Sequence, residues 1–203
     1  MIRRRLSGPA ALTALVILAS AAGAARAEVP PAVRAKAAGI FAALEKIELE
    51  AARARSRAVP PSPQPGPGSR SLVFSEDELN AYAACRLENE PYVKAAVLKL
   101  LAGDKVEGRI TIDLGKPPAS GLVPQKQDLL FAARIETRDG KIRINMDKLF
   151  LGAQAISPGF VDIVIGIVSR LQGLEPTTLS DWYDLPPGVL RLESRAGQVV
   201  VIY

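Results

Sequence analysis

Apolar positions Val33, Ala37, Ile40, Leu44, Ile47, Ala51 and Ala54 recur in alternating steps of four and three residues and predict one helix over residues 31–57. Alanine fills much of that seam, so it offers little apolar area. Arg53, Arg55 and Arg57 crowd the last turns, where the helix dipole favours cations. The pattern suits a solvated helix that docks loosely, a helix that pairs two copies of the chain, or one lying on a membrane surface. The periodicity then stops. Five prolines between Pro60 and Pro67, with Gly66 and Gly68, favour polyproline II and mark residues 59–71 as a semi-rigid linker.

From Leu72 the pattern resumes. Ser75 with Glu78 three residues later makes a capping box, and Glu76 and Asp77 suit the first turn of the helix that follows. That helix runs to about Leu87, with Leu79, Tyr82, Ala83 and Leu87 on one face. Arg86 falls in the middle of that face, where it snorkels or meets a buried carboxylate. Three hairpins come next. A turn at Gly103-Asp104 sets Leu101 opposite Val106, Val97 opposite Ile110, Ala95 opposite Ile112 and Leu98 opposite Arg109. This register leaves Lys99 inward, opposite Gly108, for which a bulge is the expected cause. A turn at Asp139-Gly140 sets Thr137 opposite Ile142, Ile135 opposite Ile144, Ala133 opposite Met146 and Glu136 opposite Arg143. Around Ala196-Gly197, Leu192 opposes Val201. Each hairpin has one mainly apolar face, the signature of an antiparallel sheet covered on one side.

The cover is predicted to be a helix from Ser157-Pro158 to near Gly173, with a good N-cap and proline in the first turn. Its apolar residues, among them Phe160, Val161, Ile163, Val164, Ile165, Ile167, Val168 and Leu171, fill an arc of roughly 200° at about 100° per residue. A helix lying on one flat sheet needs just over ~100°. The surplus calls for a sheet that curls, a second helix, or a ligand.

Charge changes the picture only near the N-terminus. Arg3, Arg4 and Arg5 precede an uncharged Ala- and Leu-rich stretch from Leu6 to Ala25, and Ala25-Arg26-Ala27 is an A-x-A cleavage site. Residues 1–27 therefore read as a secretory signal peptide, with an uncleaved N-terminal membrane anchor as the alternative. The formal charge of the 203-residue chain is +5, but residues 1–27 hold four arginines and no acid. Beyond them 22 basic residues face 21 acidic ones, which removes the electrostatic case for a nucleic-acid partner. The chain is expected to be exported, to the periplasm or the extracellular space.

Candidate chemistry is sparse. The chain has no histidine and one cysteine, so the commonest general base and the usual zinc ligand sets are missing, and no internal disulfide can form. No nucleophile elbow, phosphate-binding glycine loop, zinc-protease motif or calcium loop occurs. A non-enzyme is expected, with no metal, no cofactor and no catalytic residue. Trp182 and Tyr183 form the one concentrated aromatic site, placed to line a cavity mouth, to rest on a membrane interface, or to plug an open sheet end.

The segments SEDELNAY, DKLFLGAQAISPGFVDIVIGIVSRL and LSDWYDLPPGVLRLESRAGQVVVIY, with the hairpins between them, resemble the bacterial branch of the tubular lipid-binding (TULIP) superfamily. The likeness is closest to its LmeA-like secreted cell-envelope proteins and covers residues 72–203. It implies an α+β fold in which a curved antiparallel sheet, about six strands built of hairpin meanders, wraps a long apolar helix. The N-terminal helix (28–58) would lie outside that core. It also implies a lipid-binding groove. Phe160, Ile163, Val164, Ile167, Val168 and Leu171 would form its helix wall. Val97, Ile110, Phe131, Ile135, Ile144, Met146, Leu192 and Val201 would form its sheet wall.

The expected function is an exported, non-catalytic lipid-binding or lipid-shuttling protein holding a fatty-acyl ligand. Peripheral membrane contact and a homodimer through residues 31–57 are the further partners to test. The alternative is an envelope scaffold or interaction domain with a dry core.

Overall fold

The computed structural model describes residues 28–56, 69–90, 93–113, 126–159, 161–162 and 178–203. The chain runs α1 (Pro31–Ser56), β1 (Ser71–Ser75), α2 (Glu76–Leu87), β2 (Val93–Leu101), β3 (Lys105–Asp113), β4 (Lys126–Arg138) and β5 (Lys141–Leu151). It continues through β6 (Gln154–Ala155), β7 (Tyr183–Asp184), β8 (Arg191–Arg195) and β9 (Gln198–Ile202). Pro158, Gly159, Val161 and Asp162 are helical, so a helix begins at the expected Ser157-Pro158 start. Phe160, Ile163, Val164, Ile167, Val168 and Leu171, the expected helix wall, lie outside the described residues.

The fold is α+β. Strands β2-β3-β4-β5-β6 pair in that order, with β7 also on β5, into a curled antiparallel six-stranded sheet; β1-β9-β8 form a second, three-stranded sheet. The β4–β5 hairpin has the expected register, with Thr137 opposite Ile142, Ile135 opposite Ile144 and Ala133 opposite Met146. Asp139 (φ 53°) and Gly140 (φ 71°) both take positive φ, the backbone of a tight hairpin turn that matches strand twist. Leu192 opposes Val201 in the β8–β9 hairpin, as expected.

The β2–β3 hairpin differs by one residue. Its loop is Ala102-Gly103-Asp104, three residues rather than two, so Leu101 opposes Lys105, Leu100 opposes Val106 and Leu98 opposes Gly108. One step of register exchanges the two faces of a strand. Lys99 thereby turns outward, opposite Glu107, and needs no bulge; the bulge of this hairpin lies at Val93–Ala95. Val97, expected on the sheet wall, also turns outward and is 56% exposed.

The second sheet lies across the turn end of the first. Ser194 on β8, a buried hydroxyl, donates to the carbonyls of Leu101 (3.1 Å) and Lys105 (3.3 Å), while its N–H donates to the Asp104 carboxylate at 2.8 Å. Thr137 Oγ1 donates to the Leu192 carbonyl at 2.9 Å. The Gly197 N–H donates to the Leu100 carbonyl at 3.0 Å. These bonds satisfy loop backbone that burial would otherwise strand.

Helix α1 is not outside the core. Its seam faces inward, with Ala37, Ile40 and Ile47 at 0%, 4% and 2% exposure. Ile40 and Ile47 belong to one cluster with Phe74, Leu100, Val106, Ile142, Tyr183, Val189 and Val201. Alanine makes the dock possible because its short side chain lets backbones approach closely. A Cβ on Gly188 (φ +91°) would sit 2.7 Å from Ile47 Cγ2 and 3.0 Å from Ala51 Cβ. Ion pairs Arg34–Glu88, Lys36–Asp77 and Arg70–Glu50 rim the contact. Ala37, Ile40 and Ile47 of the seam are buried within the chain, Ala54 at its end is exposed, and Phe41 and Leu49 are the large apolar residues of α1 left exposed.

Candidate functional site

The curled sheet has two contrasting faces, fixed by register. On the inner face, the row Leu98–Gly108–Phe131–Leu149 crosses four strands, beside Leu100–Val106–Ala133–Met146 and Ala96–Ile110–Leu129–Leu151. Ile135 opposite Ile144 extends it toward the turn end. No charged residue stands in these rows. Of the expected sheet wall, Ile110, Phe131, Ile135, Ile144 and Met146 share this face, and Ile110 is buried while the other four are half-buried.

Gly108 is the keystone of that face. A Cβ there would overlap the tip of the Phe131 ring, so the ring lies directly over the glycine backbone. An isolated glycine in a strand marks such a close approach.

Leu192 and Val201 sit elsewhere. They oppose each other in the three-stranded sheet, with Val201 buried and Leu192 half-buried against the cluster that closes the turn end. They belong to the floor of the fold rather than to the wall beside Ile144 and Met146. Val97 belongs to neither, because the register shift places it on the outer face.

Trp182 and Tyr183 point to different environments, as neighbours in an extended segment do. Tyr183 is buried, opposes Ile142, and donates its hydroxyl to the Thr178 carbonyl at 2.5 Å. Its side chain packs into the core cluster with Ile142, Leu185 and Val189. Trp182 is half-buried against the outer face, where the guanidinium groups of Arg143 and Arg138 lie 4.8 and 5.1 Å from its ring centroid. Both distances are within cation–π range. Arg143 also pairs with Glu136, its expected cross-strand partner, and Asn145 donates to the same carboxylate at 2.6 Å.

Sequence reasoning missed the role of two polar side chains of α2. The Asn80 amide and the Glu76 carboxylate bond the backbone of β2, the edge strand of the six-stranded sheet. Asn80 accepts the Leu98 N–H at 2.6 Å and donates to the Leu98 carbonyl at 2.8 Å; Glu76 accepts the Leu100 N–H at 2.6 Å. An unpaired edge invites pairing with other chains, and side chains that occupy its backbone groups block that. The spacing of Glu76 and Asn80, four residues on one helix face, was the available signal.

Among the described residues no group of three or more carboxylate or thiol side chains is arranged to hold a metal ion, and no helix is long and apolar enough to cross a membrane. The titration of Glu78 and of Tyr82 is displaced. Hydrogen bonds from the Ser75 backbone and hydroxyl hold the Glu78 carboxyl below its ordinary range, and burial pushes the Tyr82 phenol up. The first belongs to a helix cap and the second to the α1–α2 contact, where the Tyr82 and Phe41 ring centroids are 4.8 Å apart. Comparison with protein-family models, curated proteins and solved structures finds no match to the chain.

Proposed function

We propose that the chain is an exported, non-catalytic lipid-binding protein that holds an acyl chain against the inner face of its curled sheet. The observation that carries this reading is the uninterrupted apolar character of that face across β2–β5, including Ile110, Phe131, Ile144 and Met146. The helix expected from Ser157 onward adds an apolar arc of roughly 200°, wider than one sheet contact needs. Its described start follows β5 and β6 along the chain.

Such a site needs no polar recognition. Removing about 16 methylenes from water at ~0.8 kcal/mol each gives a gross gain on the order of 12 kcal/mol. Association and ordering offset a large part of it, leaving exchangeable micromolar affinity within reach. The leader-like sequence of residues 1–27 supports export of such a protein.

A fluorescent fatty-acid probe tests the reading. Delipidated protein should enhance the probe's emission saturably, and unlabelled palmitate should compete. Absence of saturable binding by protein with a cooperative thermal transition would assign the chain to the alternative, a scaffold with a dry core.

A further inference from the structure

The outer face of the same sheet carries a pattern that acyl-chain binding does not use. Register aligns Val97, Arg109, Leu130 and Phe150 in one row across β2–β5. Val97 and Phe150 are 56% and 36% exposed, two of five large apolar side chains that stand exposed among the described residues. The flanking rows are Lys99–Glu107–Ala132–Lys148 and Leu101–Lys105–Arg134–Asn145. Across these three rows five cations, Lys99, Lys105, Arg109, Arg134 and Lys148, meet one carboxylate, Glu107, and all six are exposed.

This concentration departs from the chain as a whole, which is nearly neutral beyond residue 27. Between the cations lies an open groove of about 320 Å³, lined by Val97, Lys99, Glu107, Gly108, Arg109 and Leu130. Gly108 contributes only backbone to it, since the direction its Cβ would take is filled on the inner face by the Phe131 ring. At the turn end of this face, Trp182 lies against Arg138 and Arg143.

We propose that this outer face docks on an anionic lipid bilayer. Long cationic side chains reach phosphates while their stems cover apolar surface. Val97 and Phe150 then enter the headgroup layer between them, and Trp182 sits at the depth that amphipathic rings favour. A partner protein with an acidic surface would satisfy the cations but would not call for exposed apolar side chains within them. The docking is separate from ligand binding on the inner face: vesicle sedimentation reads one surface and probe titration the other.

The test is co-sedimentation of the purified protein with vesicles of phosphatidylcholine alone and of phosphatidylcholine mixed with phosphatidylglycerol. The protein should bind the mixed vesicles, release as salt is raised, and bind neutral vesicles far less. Each cation near an anionic membrane contributes about a fivefold factor in partitioning, so Lys99→Gln/Arg109→Gln/Lys148→Gln should weaken it about a hundredfold. Phe150→Trp supplies a second reading in a protein that keeps all its charges. Its emission should shift to shorter wavelength on adding mixed vesicles, beyond any change from Trp182 in the parent. Equal binding to both vesicle types, no binding to either, or full binding by the folded triple variant would overturn the proposal. An unshifted Phe150→Trp spectrum in vesicle-bound protein would overturn it too.

Discussion

The side-chain amide of Asn80 makes both hydrogen bonds that a neighbouring strand would make to Leu98, accepting its N–H at 2.6 Å and donating to its carbonyl at 2.8 Å. One helix residue thereby ends the sheet. Glu76 repeats the device two residues further along the strand, at the Leu100 N–H. Helix α2 is therefore the edge guard of the curled sheet as well as the platform on which α1 packs.

Asn80→Ala should leave both Leu98 groups without their partner at a half-buried position, a loss of about 1–3 kcal/mol in chemical denaturation. Glu76→Gln keeps an acceptor for the Leu100 N–H and should fall well short of that loss. A larger cost for Glu76→Gln than for Asn80→Ala would mean that charge, rather than occupation of the strand edge, is what matters.

Gly108→Ala places a methyl group where the Phe131 ring now lies. The ring must swing away or β3 and β4 must shift, at about 1–3 kcal/mol for an overpacked core. Trimming the partner in Gly108→Ala/Phe131→Leu should recover part of the loss. Additive destabilisation in this pair, measured by thermal melting, would show that the two residues do not meet.

Glu78 gives the cap of α2 a pH dependence. Its carboxyl titrates below the ordinary 4.5 when folded because the Ser75 backbone and hydroxyl hydrogen-bond it. The stabilisation is therefore present above that ordinary value and is lost as pH falls through the lower folded one. Glu78→Gln does not titrate. The gap in stability between it and the parent should be widest near neutral pH and close in acid. Ser75→Ala should cost about 1 kcal/mol at neutral pH through loss of the N-cap. A gap that widens in acid would reverse the assignment.

Legibility in the sequence tracked how local the determinants were. The capping box at Ser75 and the Asp139-Gly140 hairpin were readable because a few neighbouring residues fix each. The β2–β3 register was not. Val93, Ala95, Val97, Lys99 and Leu101 alternate with Lys94, Ala96, Leu98 and Leu100, so each face of β2 carries one lysine among apolar residues and the pattern does not choose between them. The choice is made by distant bonds, since Asp104 is held by Ser194 and by the Ile135 N–H, which lengthens the loop to three residues.

The docking of α1 was hidden for another reason. Its alanines read as weak hydrophobic seam, yet small side chains are what bring Ile47 and Ala51 against Gly188. The shared face of the expected wall residues was legible for β3, β4 and β5, whereas Val97, Leu192 and Val201 were misplaced. Tyr183 was hidden in a pair whose two rings part company, one to the core and one to the outer face.

The most direct measurement is native mass spectrometry of protein exported by cells and purified without detergent. The account predicts a population heavier than the polypeptide by the mass of one acyl-bearing molecule, removed by organic extraction and restored by adding lipid. A polypeptide mass with no adduct, from repeated preparations and after incubation with lipid, would contradict it.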